Sequence, residues 1–204
     1  LFIYNSLPNL KFLPATRGWA GSPDFLAKIV ELILKDKPLF VLEAGSGVSS
    51  VIIGLALKLN NYGESISLEH DITYANITSE NMGINELEMK SVVKHSPLIE
   101  YDNLEQKWKW YDINELKFSN KIDMLIVDGP PRITQELARY PAIPILHEYF
   151  SDRFTIFLDD SKRDDEAIII QKWIVFLETN KYKVKIEICM NYEKGMTILQ
   201  VYRC

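Results

Sequence analysis

The sequence predicts an α/β fold built on a mostly parallel β-sheet, and three observations support this prediction. Short and almost wholly apolar runs alternate with longer stretches in which apolar residues recur at helical spacing. The apolar runs fit strands that are buried on both faces of a parallel sheet. These runs end in acidic residues, as expected where a sheet edge binds a ligand. The chain closes on two alternating segments that indicate a β-hairpin, and hence one antiparallel strand at or near a sheet edge.

The predicted elements follow one another from residue 22 onward. Ser22 is the expected N-cap of a first helix, with Pro23 at its first position and an end near Lys35. Strands are predicted at residues 39–43, 65–69, 91–94, 122–128 and 154–159, and the closing hairpin at 182–190 and 196–202. Helices are predicted at residues 48–59, 72–82 and 164–179, and a helical stretch interrupted by Pro141 and Pro144 at residues 134–150. Residues 98–120 are expected to form a loop and a short helix. This alternation favours right-handed βαβ units in one sheet.

The length of 204 residues predicts one domain, with an irregular segment at residues 1–21 and the core at residues 22–204. With a net charge of −5, the chain lacks the excess of basic residues that is typical of a dedicated nucleic-acid-binding protein. The chain has neither an apolar run of about 18 residues nor a signal-peptide pattern at its start, so no membrane span is expected. Two cysteines are too few for a disulfide framework or a four-ligand zinc site, and a cytoplasmic location is expected.

Four of the predicted strands end in carboxylates, namely Glu43, Glu69, Asp128 and Asp159. The carboxyl ends of parallel strands meet at one edge of the sheet, where open α/β sheets bind their ligands. The alternative is that each acid caps the helix that follows it, because a helix N-terminus favours negative charge. Four such residues together favour a functional edge.

The turn after the first predicted strand reads Glu43-Ala-Gly-Ser-Gly-Val-Ser-Ser50, and its glycines permit close approach of the backbone to a ligand. Ser50 stands where the dinucleotide fingerprint has its third glycine. An acid two residues before the first glycine would repel a pyrophosphate, but it suits the ammonium and sulfonium groups of S-adenosylmethionine. Glu69 is expected to accept hydrogen bonds from ribose hydroxyls, with His70 beside the adenine; the alternative is a helix cap.

Asp128, Asp159 and Asp160 form a second group of candidate site residues. Neighbouring strands lie about 4.8 Å apart, so these carboxylates are expected to converge. Three carboxylates this close repel one another unless a cation or a proton intervenes. Oxygen ligands suit Mg²⁺, which usually takes one or two carboxylates, so a Mg²⁺ site is predicted. In the alternative interpretation, Asp160 turns outward and Asp159 caps the last helix.

The aromatic and basic side chains near the same edge are expected to have structural rather than catalytic roles. Trp108, Trp110 and Tyr111 are expected to pack a loop onto the core, the alternative being walls for a substrate ring. Five basic residues are expected near the edge as solvated charges: Arg132, Arg139, His147, Lys162 and Arg163.

Six segments, in this order, resemble the class I S-adenosylmethionine-dependent methyltransferases. They are Leu42-Glu-Ala-Gly-Ser-Gly-Val-Ser-Ser50, Ser67-Leu-Glu-His-Asp71, Trp110-Tyr-Asp112, Val127-Asp-Gly-Pro-Pro131, Arg139-Tyr-Pro-Ala142 and Phe157-Leu-Asp-Asp-Ser161. The resemblance covers roughly residues 19–202. It implies a three-layer Rossmann-like fold whose seven-stranded sheet has the order 3-2-1-4-5-7-6, with strand seven antiparallel.

The resemblance also implies roles for individual residues. The expected cofactor contacts are Glu43, Ala44, Gly45, Ser46, Gly47, Ser49, Ser50, Glu69, His70 and Asp128. Asp128 and Asp159 are the expected catalytic residues, and these two with Asp160 are the expected metal ligands, as in metal-dependent O-methyltransferases. The lysine that catechol-type enzymes carry shortly after strand four is absent, because Gly129-Pro-Pro131 and Arg132 stand there.

The expected activity is methyl transfer from S-adenosylmethionine to a hydroxyl of a small molecule or glycan, assisted by Mg²⁺. Such a displacement depends mainly on positioning and on activation of the oxygen, which a metal ion and a base at Asp128 would supply. The alternatives are an NAD-type oxidoreductase and a binding module that keeps the fold without catalysis. A nucleic-acid methyltransferase is disfavoured by the net charge.

Overall fold

A computed structural model describes residues 6–7, 10–14, 21–102 and 106–204 of the chain. The strands are β1 (Phe40–Ala44), β2 (Glu64–Glu69), β3 (Ser91–His95), β4 (Leu98–Tyr101), β5 (Trp108–Tyr111), β6 (Ile122–Val127), β7 (Phe150–Asp159), β8 (Tyr182–Cys189) and β9 (Met196–Arg203). The helices are α1 (Pro23–Asp36), α2 (Val48–Asn60), α3 (Ile72–Ile84), α4 (Ala142–Leu146) and α5 (Asp164–Thr179), with 3-10 turns at Arg132–Thr134 and His147–Tyr149. Within the described residues, no helix has the length and apolar character that crossing a membrane requires.

Seven strands form one sheet in the order β3-β2-β1-β6-β7-β9-β8. Strand β9 runs antiparallel to both of its neighbours, and the remaining pairs are parallel. Counted within this sheet alone, the order is 3-2-1-4-5-7-6, because β4 and β5 form a separate hairpin between the third and fourth strands. The predicted fold class, the parallel sheet and the closing hairpin are therefore confirmed.

The strand order reverses between β1 and β6, and the register brings their carboxyl ends side by side. Ala44 of β1 pairs with Val127 of β6, and the Asp128 N–H donates to the Ala44 carbonyl at 3.0 Å. Val127 pairs on its other side with Leu158 of β7. The residues that follow these three strands consequently share one edge, at the point where open α/β sheets bind ligands.

The sheet is buried on both faces, and alternate residues of each strand enter different apolar clusters. Leu42 and Leu125 belong to the cluster that contains α4 and α5. Val41 and Ile126 belong to the cluster that contains α1 and α2. All four side chains are fully buried, which explains why these strands read as continuous apolar runs.

Two helical predictions are wrong. Residues 98–120 carry the antiparallel hairpin β4–β5, with Leu98 opposite Tyr111, and no helix occurs among the described residues of this stretch. The helix expected over residues 134–150 is reduced to the five residues of α4. Pro141 precedes α4 and Pro144 lies in its first turn, where a missing N–H is tolerated, but such a start does not extend backward into a longer helix.

Candidate active site

A cavity of about 330 Å³ opens at the shared carboxyl edge of β1, β2 and β6. Its walls come from the turn after β1 (Gly45, Ser46), the end of β2 and start of α3 (Glu69, His70, Asp71, Tyr74), the end of β5 (Tyr111) and the segment after β6 (Asp128, Gly129, Pro131, Ile133). Three of these described lining residues are carboxylates and none is a lysine or arginine. The cavity therefore suits a ligand that carries positive charge.

Two glycines allow the turns after β1 and β6 to touch backbone to backbone. Gly45 has a φ of +104°, and a Cβ there would lie 3.3 Å from the Gly129 nitrogen. A Cβ on Gly129 would overlap the hydroxyl of Tyr111. The floor of the cavity is thus formed by backbone, with the Tyr111 hydroxyl directly above it.

Glu69 is the best-positioned acid of the cavity wall. Its Oε2 accepts the Ser46 N–H at 3.1 Å and the Ser46 hydroxyl at 3.0 Å, and its Oε1 accepts the Asp71 N–H at 3.0 Å. The side chain of Glu69 is only 7% exposed, and His70 Nδ1 lies 2.9 Å from Oε1. A carboxylate offers about four acceptor sites, so the protein itself occupies most of them.

The Ser46 hydroxyl has a second possible hydrogen-bond partner besides Glu69. It lies 3.2 Å from the Thr78 hydroxyl of α3, as well as 3.0 Å from Glu69. A turn of Ser46 toward Thr78 would free one acceptor site on Glu69 without leaving the serine unpaired. His70 and Tyr111 flank the same wall, with ring centroids 6.2 Å apart in an edge-on arrangement.

Glu43 lies beneath the glycine turn rather than in the cavity wall. It is fully buried, and its Oε2 accepts the Ser50 hydroxyl of α2 at 2.5 Å. Burial raises the pKa of Glu43 to about 7, although hydrogen bonding to Ser50 opposes that rise. Glu43 thus supports the glycine turn from behind through Ser50, and it does not line the cavity.

Asp128, Asp159 and Asp160 converge as predicted, with ligand-type oxygen atoms within 4.8 Å of one another. The buried guanidinium of Arg139 lies among them. Its Nη2 donates to the Asp128 carbonyl at 2.8 Å, to Asp128 Oδ1 at 3.3 Å and to Asp160 Oδ2 at 2.8 Å. Its Nη1 donates to the Asp159 carbonyl at 2.9 Å. Arg139 therefore joins the ends of β6 and β7 and neutralises part of the acidic cluster.

The three acids have different surroundings. Asp160 is 6% exposed, with a left-handed φ of +59°, and its Oδ2 also accepts Arg163 at 2.8 Å. Asp159 is fully buried, and neither of its carboxylate oxygens finds a hydrogen-bond partner among the described residues. Burial and the neighbouring Asp160 raise the pKa of Asp159 to about 6. Burial also raises the pKa of Asp128, against the opposing charge of Arg139.

The alternative interpretations of this acidic group do not fit the structure. Asp160 turns inward to the two guanidinium groups instead of outward. Asp159 caps no helix, since the N-cap position of α5 is Arg163. An unpaired buried carboxylate of this kind is a fitting ligand for a divalent cation.

The expected cofactor residues divide into two sets. Gly45, Ser46, Glu69, His70 and Asp128 line the cavity. Glu43, Ala44, Ser49 and Ser50 are buried behind that lining, in the end of β1 and the beginning of α2. Gly47, the N-cap of α2, is partly exposed and does not line the cavity.

Other site residues differ from the sequence interpretation. Trp110 packs in the core as expected, whereas Tyr111 is also a cavity wall. His147 is not near the site, because it lies beside Phe150 at the opposite end of β7. Arg139 was expected to be a solvated charge, but it is 4% exposed and central to the cluster.

Comparison with known proteins gives matches in structure but not in sequence. No protein-family model matches the chain, and no curated protein matches it. An O-methyltransferase from Bacillus cereus in complex with SAH superposes with a TM-score of 0.65 at 14% identity, covering 98% of this chain and 90% of that one. The O-methyltransferase TomG from Streptomyces achromogenes, with SAM, has a TM-score of 0.64 at 12% identity and coverages of 98% and 89%.

This chain has the fold of the class I S-adenosylmethionine-dependent methyltransferases. A proposed RNA methyltransferase from Pyrococcus horikoshii also shares it, with a TM-score of 0.59 at 16% identity and coverages of 98% and 94%. The class I methyltransferase fold thus accommodates acceptors of different chemistry. What this chain binds has to be inferred from its own side chains.

Proposed function

We propose that this chain is an S-adenosylmethionine-dependent O-methyltransferase acting on a hydroxyl of a small molecule or glycan. The observation that carries the proposal is the acid-lined cavity at the reversal of strand order, with Glu69 in its wall. The solved structures that share this fold include methyltransferases holding SAM or SAH. At this low identity they support the fold, and the residues of the cavity support the ligand.

The side chains of the cavity match the parts of S-adenosylmethionine. Glu69 would accept the ribose hydroxyls once Ser46 turns to Thr78. His70 and Tyr111 offer apolar ring surface for the adenine. Burial and the charge of Glu69 raise the pKa of Tyr111, so its hydroxyl stays neutral and is available as a donor. The carboxylates around the cavity favour the cationic end of the molecule.

Asp128 is the residue best placed to act in the transfer itself. It follows β6 directly, lines the cavity, and is held at its carbonyl and at Oδ1 by Arg139. When bound, S-adenosylmethionine would supply an electrophilic methyl group: the acceptor oxygen would bond to the methyl carbon as the sulfur–carbon bond breaks and SAH leaves. Asp128 would then receive the hydroxyl proton, because it lines the cavity beside the bound cofactor.

The same proposal includes a Mg²⁺ ion held by Asp128 and Asp159. Asp159 contributes two buried oxygens without hydrogen-bond partners among the described residues. Asp160 is already paired with Arg139 and Arg163, so we assign it to positioning those guanidinium groups. Mg²⁺ is usually held by one or two protein carboxylates, which these two residues supply. The ion would lower the pKa of the acceptor hydroxyl and orient its oxygen.

The rival activities are less compatible with the cavity. A dinucleotide would place its pyrophosphate against Glu69, Asp71 and Asp128, with no lysine or arginine among the described lining residues. A binding module without catalysis would have no need for Asp128 held by Arg139 at the edge of the cavity.

The test is transfer of a labelled methyl group from S-adenosylmethionine to hydroxylated small molecules and glycans, with Mg²⁺ or with chelator. We expect transfer that chelator lowers and added Mg²⁺ restores. Asp128→Asn should abolish transfer while cofactor binding persists. Asp152→Asn is the matched control, because Asp152 is 80% exposed and pairs with Arg203. Binding of NAD in place of S-adenosylmethionine would contradict the proposal, and cofactor binding without transfer to any acceptor would favour the binding module.

A further inference from the structure

A second cavity, of about 590 Å³, adjoins the first and has the opposite charge. The two cavities share Asp128, Pro131 and Ile133. The remaining residues that line the second cavity are four basic side chains and one acid: Arg132, Arg139, Arg163, Lys194 and Asp160. The proposed cofactor and the second cavity therefore meet at Asp128, the residue to which we assign the proton.

Two of the basic side chains of this second cavity, Arg132 and Arg163, pair with acids that are less exposed than they are. Arg132 Nε lies 3.1 Å from Asp165 Oδ2; the arginine side chain is 63% exposed and the aspartate 18%. Arg163 Nη1 lies 2.8 Å from Asp160 Oδ2 and 3.6 Å from Glu166 Oε1; the arginine side chain is 38% exposed and the two acids 8% and 4%. In both pairs the acid lies inward and the guanidinium faces the opening. This arrangement positions cations for a ligand that arrives from solvent.

Arginine has the geometry for such a ligand. A guanidinium carries five N–H donors, and the pair with Asp165 uses only Nε of Arg132. The Nη atoms of an arginine match the paired oxygens of a carboxylate or phosphate. Apolar surface between the two cavities is supplied by Pro131 and by Ile133, whose side chain is 94% exposed.

We propose that the second cavity binds an oxyanion of the methyl acceptor, a carboxylate or a phosphate, through Arg132 and Arg163. The acceptor is then a hydroxylated molecule that carries a negative group and presents its hydroxyl to Asp128. That the bound molecule is the methyl acceptor rests on the proposed function. The oxyanion site itself does not depend on catalysis.

The oxyanion site can be tested without any methyl transfer. The unfolding temperature of the chain is measured in inorganic phosphate, in malonate and in chloride at equal ionic strength. We expect phosphate or malonate to raise the unfolding temperature relative to chloride. Arg132→Gln should weaken anion binding about tenfold, as expected for one lost charge-assisted hydrogen bond. Arg203→Gln is the matched control, since Arg203 is also 63% exposed and pairs with Asp152 at 3.3 Å. Equal shifts in wild type and Arg132→Gln, or no shift in either anion, would overturn the inference.

The acceptor preference is tested with matched pairs in the transfer assay. The pairs are 3,4-dihydroxybenzoate against catechol, and glucuronate or glucose 6-phosphate against glucose. We expect the anionic member to have the lower KM, and Arg132→Gln to raise that KM with little change in kcat. Methylation of neutral members with equal or lower KM would overturn the inference and leave the proposed function intact. Anion binding at Arg132 without any binding of S-adenosylmethionine would overturn the proposed function alone.

Discussion

Replacing Glu69 by glutamine tests the cofactor site with little change in side-chain shape. In the structure, Glu69 accepts the N–H groups of Ser46 and Asp71 on different oxygens, at 3.1 and 3.0 Å. A glutamine has only one acceptor oxygen, so one of these two N–H groups loses its partner. The negative charge beside a cationic ligand is lost as well.

The size of the effect follows from those contacts. Losing a charge-assisted hydrogen bond to the ribose and weakening the turn should cost about 1–3 kcal/mol of binding free energy, or roughly five- to 150-fold in Kd. Calorimetry with S-adenosylmethionine and with SAH measures this change in Kd between wild type and Glu69→Gln. SAH lacks the sulfonium charge, so its affinity should fall less.

The matched control is Glu64→Gln, because Glu64 begins the strand that Glu69 ends. Its side chain bonds Ser119 and Asn120, away from the cavity, and cofactor affinity should not change. An unchanged Kd in a folded Glu69→Gln variant would refute the assignment of Glu69 to the ribose. Ser46→Ala should leave affinity equal or higher, since it frees an acceptor site on Glu69; a loss as large as that of Glu69→Gln would show that Ser46 itself holds the ligand.

Three further predictions concern stability and pH. Gly129→Ala should lower the free energy of unfolding by about 1–3 kcal/mol, because its Cβ would overlap the Tyr111 hydroxyl. Gly83→Ala is the control: its Cβ meets only the flexible end of a glutamate and alanine is favoured in a helix, so thermal unfolding should show no loss. The pKa of Glu43, about 7 against an ordinary 4.5, means that the folded chain holds this proton more tightly than the unfolded chain, so stability falls as pH rises from 4.5 to 7. Denaturant titrations should show a fall of about 3 kcal/mol from this group, and its absence in Glu43→Gln; identical pH profiles would contradict the assignment. Asp159→Asn should abolish Mg²⁺-dependent transfer and keep cofactor affinity. In chelator at pH 8 the variant should unfold at a higher temperature than wild type, because an unpaired buried charge is gone. Full transfer in this variant would eliminate Asp159 as a metal ligand.

Much of the fold was predictable because the sheet is buried on both faces. The five residues of β1 are all buried, and such a strand shows its position as an uninterrupted apolar run. The acids at the strand ends were predictable for the same reason, since each follows a clear strand. The hairpin β4–β5 was not predicted: its strands have four residues each, which gives too short a pattern to tell from a loop.

The role of Arg139 was not predictable from local pattern. It lies 11 residues after Asp128 in sequence, in a stretch that we had assigned to a helix. Its burial depends on the side-by-side placement of β6 and β7, which brings Asp128 and Asp160 to the same guanidinium. The place of Tyr111 in the cavity likewise depends on tertiary packing, because the hairpin carries it to the backbone of Gly129.

The most direct test of the central claim is a crystal structure of the chain with SAH. The proposal predicts SAH in the cavity between Ser46, Glu69 and Tyr111, with a ribose hydroxyl at hydrogen-bond distance, roughly 2.6–3.2 Å, from the Glu69 carboxylate. The Ser46 hydroxyl should then point to Thr78. Density for SAH elsewhere on the molecule, or a ribose that does not contact Glu69, would contradict the claim that this cavity is the cofactor site.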